Sequence, residues 1–400
     1  MVAAPDGSQW ESRGTRPRWN QENLVNTAQP GNEAASSTSR DKRRSWPVRI
    51  AIWMGVSLAG LVVLVLLLAA AGAFYQNFET KNDVKRFPPP GQMVDVGGYR
   101  LHLVCEGEGE PVVILDTVVG ASSLSWVRVR PGVARFTRVC AFDRAGYGWS
   151  DPGPLPRTSG RMVSELRLAL EGAGLPRPYV LVGASFGGCN ARLFAARNPG
   201  LVAGLVLVDP AHEDQVSRLP SSMDPAAELE ALKIFRLAAR LGLLRVAGMP
   251  VGEASMGILP PEQQAAARAV GFRTEVVDTI LSEIEALPQS FTEVREAMAA
   301  AGKVPFGSLP LVVLTHEEEK PPTGVEAEAY KAWLEMQAEL AAESAAGRQI
   351  IVKPSSHFIA VDQPARVVEA IRDVVDSIRT GVPVDDSSEP LAPPASPPPS

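Results

Sequence analysis

The hydrophobic pattern of this 400-residue chain begins with one long apolar run. No charged residue occurs between Ile50 and Phe74, and Leu61–Leu68 form the centre of the run. A helix of this length can span the hydrocarbon core of a bilayer, whereas a buried helix of a soluble domain normally carries a polar stripe. A cleaved signal peptide has a shorter apolar region near the N-terminus. We therefore predict a transmembrane helix over residues 50–75.

Polar segments flank this run on both sides. Residues 1–49 are rich in Gly, Ser, Asn and Gln and end in a basic cluster at residues 40–44, which predicts a disordered tail. Acidic and basic residues nearly cancel after the run, so the positive-inside rule places the N-terminus in the cytoplasm and the remainder outside. We predict a single signal anchor, followed by a polar linker over residues 76–92 that ends in a stiff Pro-rich stretch.

From residue 93 the pattern changes to short apolar runs that alternate with helical periodicity. The runs Met93–Val96 and Tyr99–Cys105 flank Gly97-Gly98 and predict a β-hairpin. The later predicted strands are Val112–Leu115, Val139–Phe142, Tyr179–Val182, Leu205–Val208, Leu311–Leu314 and Gln349–Val352. Predicted helices fall near Ser164–Leu170, Phe186–Arg197, Tyr330–Ala345 and Pro364–Arg379. This alternation predicts an α/β fold with a mostly parallel sheet covered by helices on both faces.

One long interval breaks the alternation. Residues 213–304 contain no predicted strand, and helical patterns occur near Ala226–Leu244, Glu262–Ala269 and Thr274–Ala286. An all-helical insertion between two strands predicts a cap over the site, which in such sheets lies beyond the carboxyl ends of the strands. The alternative is a helical bundle with no role in substrate access. Residues 381–400 are rich in Pro and Ser and predict a second disordered tail.

Composition narrows the classes of function. The net charge of −6 gives no electrostatic case for binding nucleic acid. The three cysteines match no zinc spacing and no phosphate-binding loop appears, so we predict no metal and no cofactor. The apolar surroundings of Cys105, Cys140 and Cys189 favour buried small hydrophobic residues. A Cys105–Cys140 disulfide is the alternative if the domain is exported.

The most informative motif joins a strand to a helix. The run Tyr179–Val182 leads into Gly183-Ala184-Ser185-Phe186-Gly187, a Gly-x-Ser-x-Gly pattern, and an apolar helical stretch follows at once. A serine at such a turn is exposed at the positive end of the helix, where backbone N–H groups can stabilise an oxyanion. Ser185 is therefore the predicted nucleophile.

The order of these features resembles the capped α/β-hydrolases over residues 93–380. A hairpin, a nucleophile elbow, a helical insertion and a late histidine follow one another, and Phe142–Asp151 resembles the Asp-Arg-x-Gly-x-Gly-x-Ser loop common in these enzymes. The resemblance implies an α/β-hydrolase fold and acyl transfer to water through an acyl-serine. A serine at position 185 argues against the epoxide hydrolases and haloalkane dehalogenases of this fold, which use aspartate there.

The resemblance assigns the catalytic base to one of the four histidines of the chain. His357 follows the last predicted strand and precedes the final helix, as the base of the family does. Of the others, we expect His102 to be structural, His212 comes too early in the chain, and His316 simply follows a strand.

The acid of the triad has two candidates. The family order places it after the strand that follows the cap, where Glu319 lies nearest the usual position. Some hydrolases take the acid from the end of the preceding strand instead, where this chain has Asp209. We favour Asp209 slightly and keep both open.

The oxyanion hole is expected from the backbone N–H groups of Phe186 and Val118. Many relatives have His-Gly-x-Pro in the second loop, and this chain has Asp116-Thr117-Val118-Val119-Gly120 instead. Backbone donors do not depend on the side chain, so activity is still expected, with a loop of different shape.

The sequence thus predicts a membrane-anchored serine hydrolase with its domain outside the cytoplasm. The favoured hypothesis is a carboxylesterase or lipase-like enzyme acting on a small-molecule ester or acyl substrate. The second hypothesis is an amidase or peptidase with the same triad, and the third is a catalytically silent binding protein of this fold. The physiological substrate and the oligomeric state stay open.

Overall fold

The computed structural model describes residues 46–221, 224, 226, 229–255, 257, 259–320 and 322–384. Nearly all of the two predicted disordered tails lies outside these residues. The predicted fold class is confirmed: helices alternate with a mostly parallel eight-stranded sheet in an α/β fold.

The first helix, α1, runs from Trp46 to Arg86. By length and composition it could cross a membrane, and its most apolar window is not buried in the protein. Residues 76–86, expected as part of a polar linker, continue the helix instead. The reason is tertiary, since Gln76 is buried and Asp83 pairs with Arg245 of the insertion at 2.6 Å. A short connection from residue 87 to residue 91 then leads into the sheet.

The sheet contains a strand for every predicted apolar run. The strands are β1 (Gln92–Asp95), β2 (Arg100–Glu106), β3 (Val112–Asp116), β4 (Val139–Phe142), β5 (Tyr179–Ala184), β6 (Val202–Val208), β7 (Leu311–His316) and β8 (Gly347–Val352). Their order is β1-β2-β4-β3-β5-β6-β7-β8. The pairs that contain β2 are antiparallel and the other neighbours are parallel.

Helices cover both faces of this sheet, as the alternation predicts. After α1 they are α2 (Arg130–Val133), α3 (Ser159–Gly172), α4 (Phe186–Arg197), α5 (Gln215–Arg218), α6 (Leu229–Arg240), α7 (Leu243–Val246), α8 (Pro261–Gly271), α9 (Thr274–Glu285), α10 (Leu287–Ala301), α11 (Val325–Ala341), α12 (Ile359–Asp362) and α13 (Pro364–Thr380). Successive side chains of β3 enter opposite cores. Ile114 packs in the core under α3 and α4, and Val113 packs in the core under α13.

The interval between β6 and β7 contains no strand in its described residues and holds α5 to α10. Its later helices belong to the main core, because Val276 and Ile280 of α9 and Phe291 of α10 cluster with the side chains of α3 and α4. The insertion also reaches the loop after β3, where Glu253 donates its backbone N–H to the carbonyl of Gly120 at 3.1 Å.

Two of the three cysteines form a disulfide. Cys105 of β2 and Cys140 of β4 stand opposite each other in the antiparallel ladder, and their sulfurs are bonded. The sequence favoured free buried residues, because the register that pairs β2 with β4 cannot be read from local composition. Cys189 is free and buried, and burial raises the pKa of its thiol to about 12.

Candidate active site

Ser185 lies at the turn between β5 and α4. Its backbone has φ 50° and ψ −120°, a conformation that residues with a Cβ rarely adopt. Close packing surrounds the turn: a Cβ on Gly183 would lie 2.3 Å from the carbonyl oxygen of Gly187. A Cβ on Gly187 would lie 2.8 Å from the carbonyl of Asp116. Both glycines of the motif are therefore required by the backbone path of the elbow.

The elbow is hydrogen-bonded to the segment that follows β6. The N–H of Ser185 donates to the carbonyl of Val208 at 3.1 Å, and the N–H of Ala211 donates to the carbonyl of Ser185 at 3.0 Å. Asp209 lies between these two contacts and, like Ser185, has a positive φ, of 45°. The end of β6 thus presents Asp209 beside the elbow.

Of the two acid candidates, the structure brings Asp209 and not Glu319 to His357. The Nδ1 atom of His357 lies 2.5 Å from Oδ2 of Asp209, which is fully buried. Glu319 is exposed, and within the described residues no hydrogen bond or ion pair joins its carboxylate to a histidine. The physical reason lies at the end of β7, where His316 occupies the position next to Asp209 and the charged loop continues into solvent.

A second histidine shares the same carboxylate. His316 Nδ1 lies 2.7 Å from Oδ2 of Asp209, and its backbone N–H donates to Oδ1 at 3.1 Å. The indole N–H of Trp333 on α11 also donates to Oδ1 at 3.1 Å. No role was predicted for His316 or Trp333. The signal in the sequence was that Asp209 and His316 each follow a predicted strand. The register that brings the two strand ends together is seen only in the structure, where Val208 pairs with Leu314.

These contacts set the charge of the site. Burial would raise the pKa of Asp209, but the hydrogen bonds from His316 and His357 hold it well below its ordinary value. An ionised carboxylate only accepts hydrogen bonds, so the geometry assigns a proton to Nδ1 of both rings. Nε2 of a neutral His357 is then free to accept a proton. Burial lowers the pKa of His316, but the hydrogen bond to Asp209 and the negative charges of Asp209 and Glu318 together outweigh burial, so the net shift of the pKa is upward.

Two backbone N–H groups are the candidates for the oxyanion hole. Phe186 is the first residue of α4, so its N–H has no acceptor within the helix. Val118 lines a cleft together with Ala184 of the elbow and His357. These positions are the ones expected to supply the oxyanion hole.

A buried arginine holds the loop that carries Val118. Arg144 Nη1 donates to Oδ1 of Asp116 at 2.6 Å and to the carbonyl of Thr117 at 2.7 Å, and Nη2 donates to the carbonyl of Val118 at 2.9 Å. Glu283 of α9 accepts from Nε at 3.0 Å. Because C=O and N–H point in opposite directions across a trans peptide, the N–H of Val118 points away from the guanidinium. Arg144 therefore fixes the peptide between Thr117 and Val118, in the loop where many relatives have His-Gly-x-Pro.

The remaining histidines have other partners. His102 is fully buried, with Nδ1 2.8 Å from Oδ2 of Asp143, and its Nε2 accepts from the N–H of Gly91 at 3.2 Å. His212 accepts a hydrogen bond from the N–H of Asp214 at 3.0 Å. Among the described residues, neither ring contacts Asp209.

Asp209, His316 and His357 also form a group whose ligand atoms lie within 4.8 Å of one another. The two Nδ1 atoms and Oδ2 are already joined by hydrogen bonds of 2.5 and 2.7 Å. A cation bound by these atoms would have to replace both bonds. The arrangement accounts for all three side chains without a metal.

The family model described as the alpha/beta hydrolase family matches residues 118–370, which include the elbow, Asp209 and His357. The chain belongs to the alpha/beta hydrolase family. It is 32% identical over 171 residues to the uncharacterised protein Mb2734 of Mycobacterium bovis, covering 42% of this chain and 49% of that protein. It is 29% identical over 134 residues to an uncharacterised vacuolar membrane protein of Saccharomyces cerevisiae, covering 29% of this chain and 21% of that protein.

Both curated relatives are thus matched over less than half of their own length. Among solved structures, the chain is similar to a thermophilic esterase from Thermogutta terrifontis, with a TM-score of 0.51 and 21% identity, over 72% of this chain and 98% of the esterase. At this level of identity the likeness concerns the fold.

Proposed function

We propose that the chain is a serine hydrolase that cleaves carboxylic esters through an acyl-serine intermediate. The observation that carries the proposal is the 2.5 Å hydrogen bond from His357 to Asp209, at a strand end hydrogen-bonded to the elbow of Ser185. A nucleophilic serine needs an adjacent base, and the base needs a partner that fixes its tautomer.

In the proposed reaction, the Ser185 hydroxyl oxygen attacks the ester carbonyl while Nε2 of His357 takes its proton. Asp209 stays ionised and stabilises the resulting imidazolium. The tetrahedral intermediate collapses, the C–O bond to the alcohol breaks, and His357 returns the proton to the leaving alkoxide. Water then attacks the acyl-serine by the same route and releases the acid and free Ser185. The N–H groups of Phe186 and Val118 stabilise the oxyanion in both halves.

A fluorophosphonate probe tests the nucleophile on the full-length chain in detergent micelles. We expect covalent labelling of the wild type and none of Ser185→Ala. Ser217→Ala is the matched control, because its hydroxyl lies on an exposed helix and bonds only locally, to the carbonyl of Asp214. Labelling that survives Ser185→Ala would place the reactive nucleophile at another residue. A well-folded wild type that never reacts would favour a catalytically silent binding protein of this fold.

The substrate class needs a separate measurement. We expect hydrolysis of nitrophenyl esters at rates well above those of matched anilides and peptides. A nitrophenoxide leaves without protonation, whereas an amide has a less electrophilic carbonyl and its nitrogen must be protonated before the C–N bond breaks. Cleavage of aminoacyl amides with the esters left intact would assign an amidase or peptidase with the same triad.

We also propose that the hydrolase is a single-pass membrane protein with its N-terminus in the cytoplasm and its catalytic domain outside. The length and apolarity of α1 support the span, and the vacuolar membrane relative is consistent with it. The Cys105–Cys140 disulfide supports the orientation, since such bonds persist in oxidising compartments.

A further inference from the structure

Helices α6 and α7 turn large apolar side chains outward. Ile234 and Leu237 are three residues apart on α6, as are Leu243 and Val246 on α7, and Met249 follows closely. All five side chains are exposed. Residues three apart share one side of a helix, so each helix presents an apolar stripe. We refer to these five residues as the apolar face of the insertion. Grouped exposed apolar residues of this size mark an interaction surface.

This face adjoins the apolar part of α1. The junction between α6 and α7 packs directly on that helix: a Cβ on Gly72 would lie 2.2 Å from the carbonyl oxygen of Leu241, and one on Gly242 would lie 2.6 Å from the carbonyl oxygen of Gly72. Arg245 of α7 then bonds Oε1 of Gln76 at 3.0 Å and Asp83 at 2.6 Å. The insertion is therefore held at a fixed height along α1.

The sequence of α1 shows how far this contact lies from the end of the apolar stretch of the helix. The helix carries no charge from Leu61 until Glu79, so Gly72 lies about 10 Å along the axis from the first charged residue, on the apolar side. Tyr75 is exposed between the two positions. Tyrosine and tryptophan at the end of an apolar span are typical of the membrane–water interface. The junction of α6 and α7 thus lies at interfacial depth.

We infer that the apolar face of the insertion docks into the surface of the bilayer that α1 spans. A helix that lies in the interface buries its apolar side by about 5–10 Å at the boundary of headgroups and acyl chains, which matches the position of Gly72. The contact of α1 with α6 and α7 continues into this lipid surface. The inference rests on α1 crossing the membrane and not on the hydrolase reaction.

Lipid contact can be measured on the full-length chain in proteoliposomes. Val246→Cys is labelled with an environment-sensitive fluorophore, and quenching by nitroxide-bearing phosphatidylcholine is recorded. Val325→Cys on α11 is the matched control, since Val246 is 74% exposed and Val325 is 69% exposed. Leu66→Cys in α1 is the positive control, and Leu237→Cys provides a second site on α6. The native thiol of Cys189 is buried, with its pKa raised to about 12, and should not react.

We expect lipid quenching at positions 246, 237 and 66 and little at position 325. Quenching at 246 and 237 no stronger than at 325 would overturn the inference, because the face would then lie in water. Cross-linking between two copies through position 246, with no lipid quenching, would overturn it in favour of a second copy of the chain. Absence of quenching at position 66 would remove the membrane span on which the inference rests. None of these readouts depends on catalysis, so they separate this inference from the proposed ester hydrolysis.

Discussion

At the scale of single residues, the centre of the site is a carboxylate with four hydrogen-bond donors. Oδ2 of Asp209 accepts from both histidine rings, and Oδ1 accepts from the backbone of His316 and the indole of Trp333. A buried carboxylate with its oxygens fully used stays ionised and cannot rotate without breaking several bonds. The orientation of His357 is therefore fixed by elements that lie far apart in the chain.

Replacing Asp209 by Asn should lower kcat for ester hydrolysis by about 10³-fold to 10⁴-fold, because a neutral amide no longer stabilises the imidazolium or fixes its tautomer. The measurement is steady-state kinetics on the best ester. Glu319→Gln is the paired variant and should leave kcat unchanged, because Glu319 is exposed. A large loss in Glu319→Gln with full activity in Asp209→Asn would exchange their roles.

His316 gives the folded state a predictable pH dependence. Burial lowers its pKa in the folded protein, but the hydrogen bond to Asp209 and the negative charges of Asp209 and Glu318 together raise the pKa by more. A raised folded pKa adds stability that is fully present below the unfolded pKa and is lost as pH rises through the folded pKa. His316→Gln should therefore lower the free energy of unfolding by about 1 kcal/mol more at about pH 5.5 than at about pH 9.

Denaturant unfolding curves at the two pH values check this prediction. An equal loss of stability at both pH values would mean that the protonation of His316 does not contribute to the free energy of unfolding. The same variant should keep labelling with the fluorophosphonate probe, because Asp209 retains its bond to His357.

At the scale of elements, the proposed oxyanion loop after β3 is held by contacts with the loop after β4 and with the insertion. Arg144 follows β4, bonds the carbonyls of residues 117 and 118 after β3, and pairs with Glu283 of α9. The altered loop sequence is thus compensated by a buried cation from the neighbouring strand end. The insertion helps to hold that cation in place.

Arg144→Lys should lower kcat by about 10-fold to 10²-fold with a smaller change in KM, because a lysine cannot donate to both carbonyls and both carboxylates in the same geometry. Arg157→Lys is the matched control, since Arg157 is equally buried and pairs with Glu165 away from the loop. Both variants should lose stability, and only Arg144→Lys should lose kcat in the fraction that remains folded. Equal kcat values in the two variants would limit Arg144 to a structural role.

At the scale of the whole molecule, α1 combines a candidate span with a docking segment. Its later turns bind the insertion through Gln76 and Asp83, so the helix ends as part of the folded domain. The distance between the domain and the end of the apolar run is thereby fixed, whereas a flexible linker would leave it free.

The proposed orientation predicts which segments an impermeant maleimide reaches in intact cells. Val382→Cys lies in an exposed stretch after α13 and should react from outside. Ser8→Cys in the N-terminal segment should react only after lysis. The reverse pattern would place the domain in the cytoplasm and would contradict the positive-inside prediction.

The sequence by itself determined the elements and their order. Strand periodicity, helix periodicity and the Gly-x-Ser-x-Gly turn depend on residues close together in the chain, so β5, the turn at Ser185 and α4 were all predicted from local pattern. The fold class followed from this alternation, because apolar strands separated by helices have few other ways to bury their side chains. The candidate role of Ser185 followed from its place at the turn between strand and helix, and that of His357 followed from the resemblance to the capped α/β-hydrolases.

Only the tertiary structure decided the contacts between strand ends. The choice of Asp209 over Glu319 as the partner of His357, the sharing of that carboxylate with His316, and the Cys105–Cys140 bond all depend on lateral register. Register is set by packing between segments more than 30 residues apart, and local composition does not record it. The continuation of α1 to Arg86 also depends on a tertiary contact. The polar residues there predict a linker, but Gln76 and Asp83 bind Arg245 of the insertion and the segment is helical.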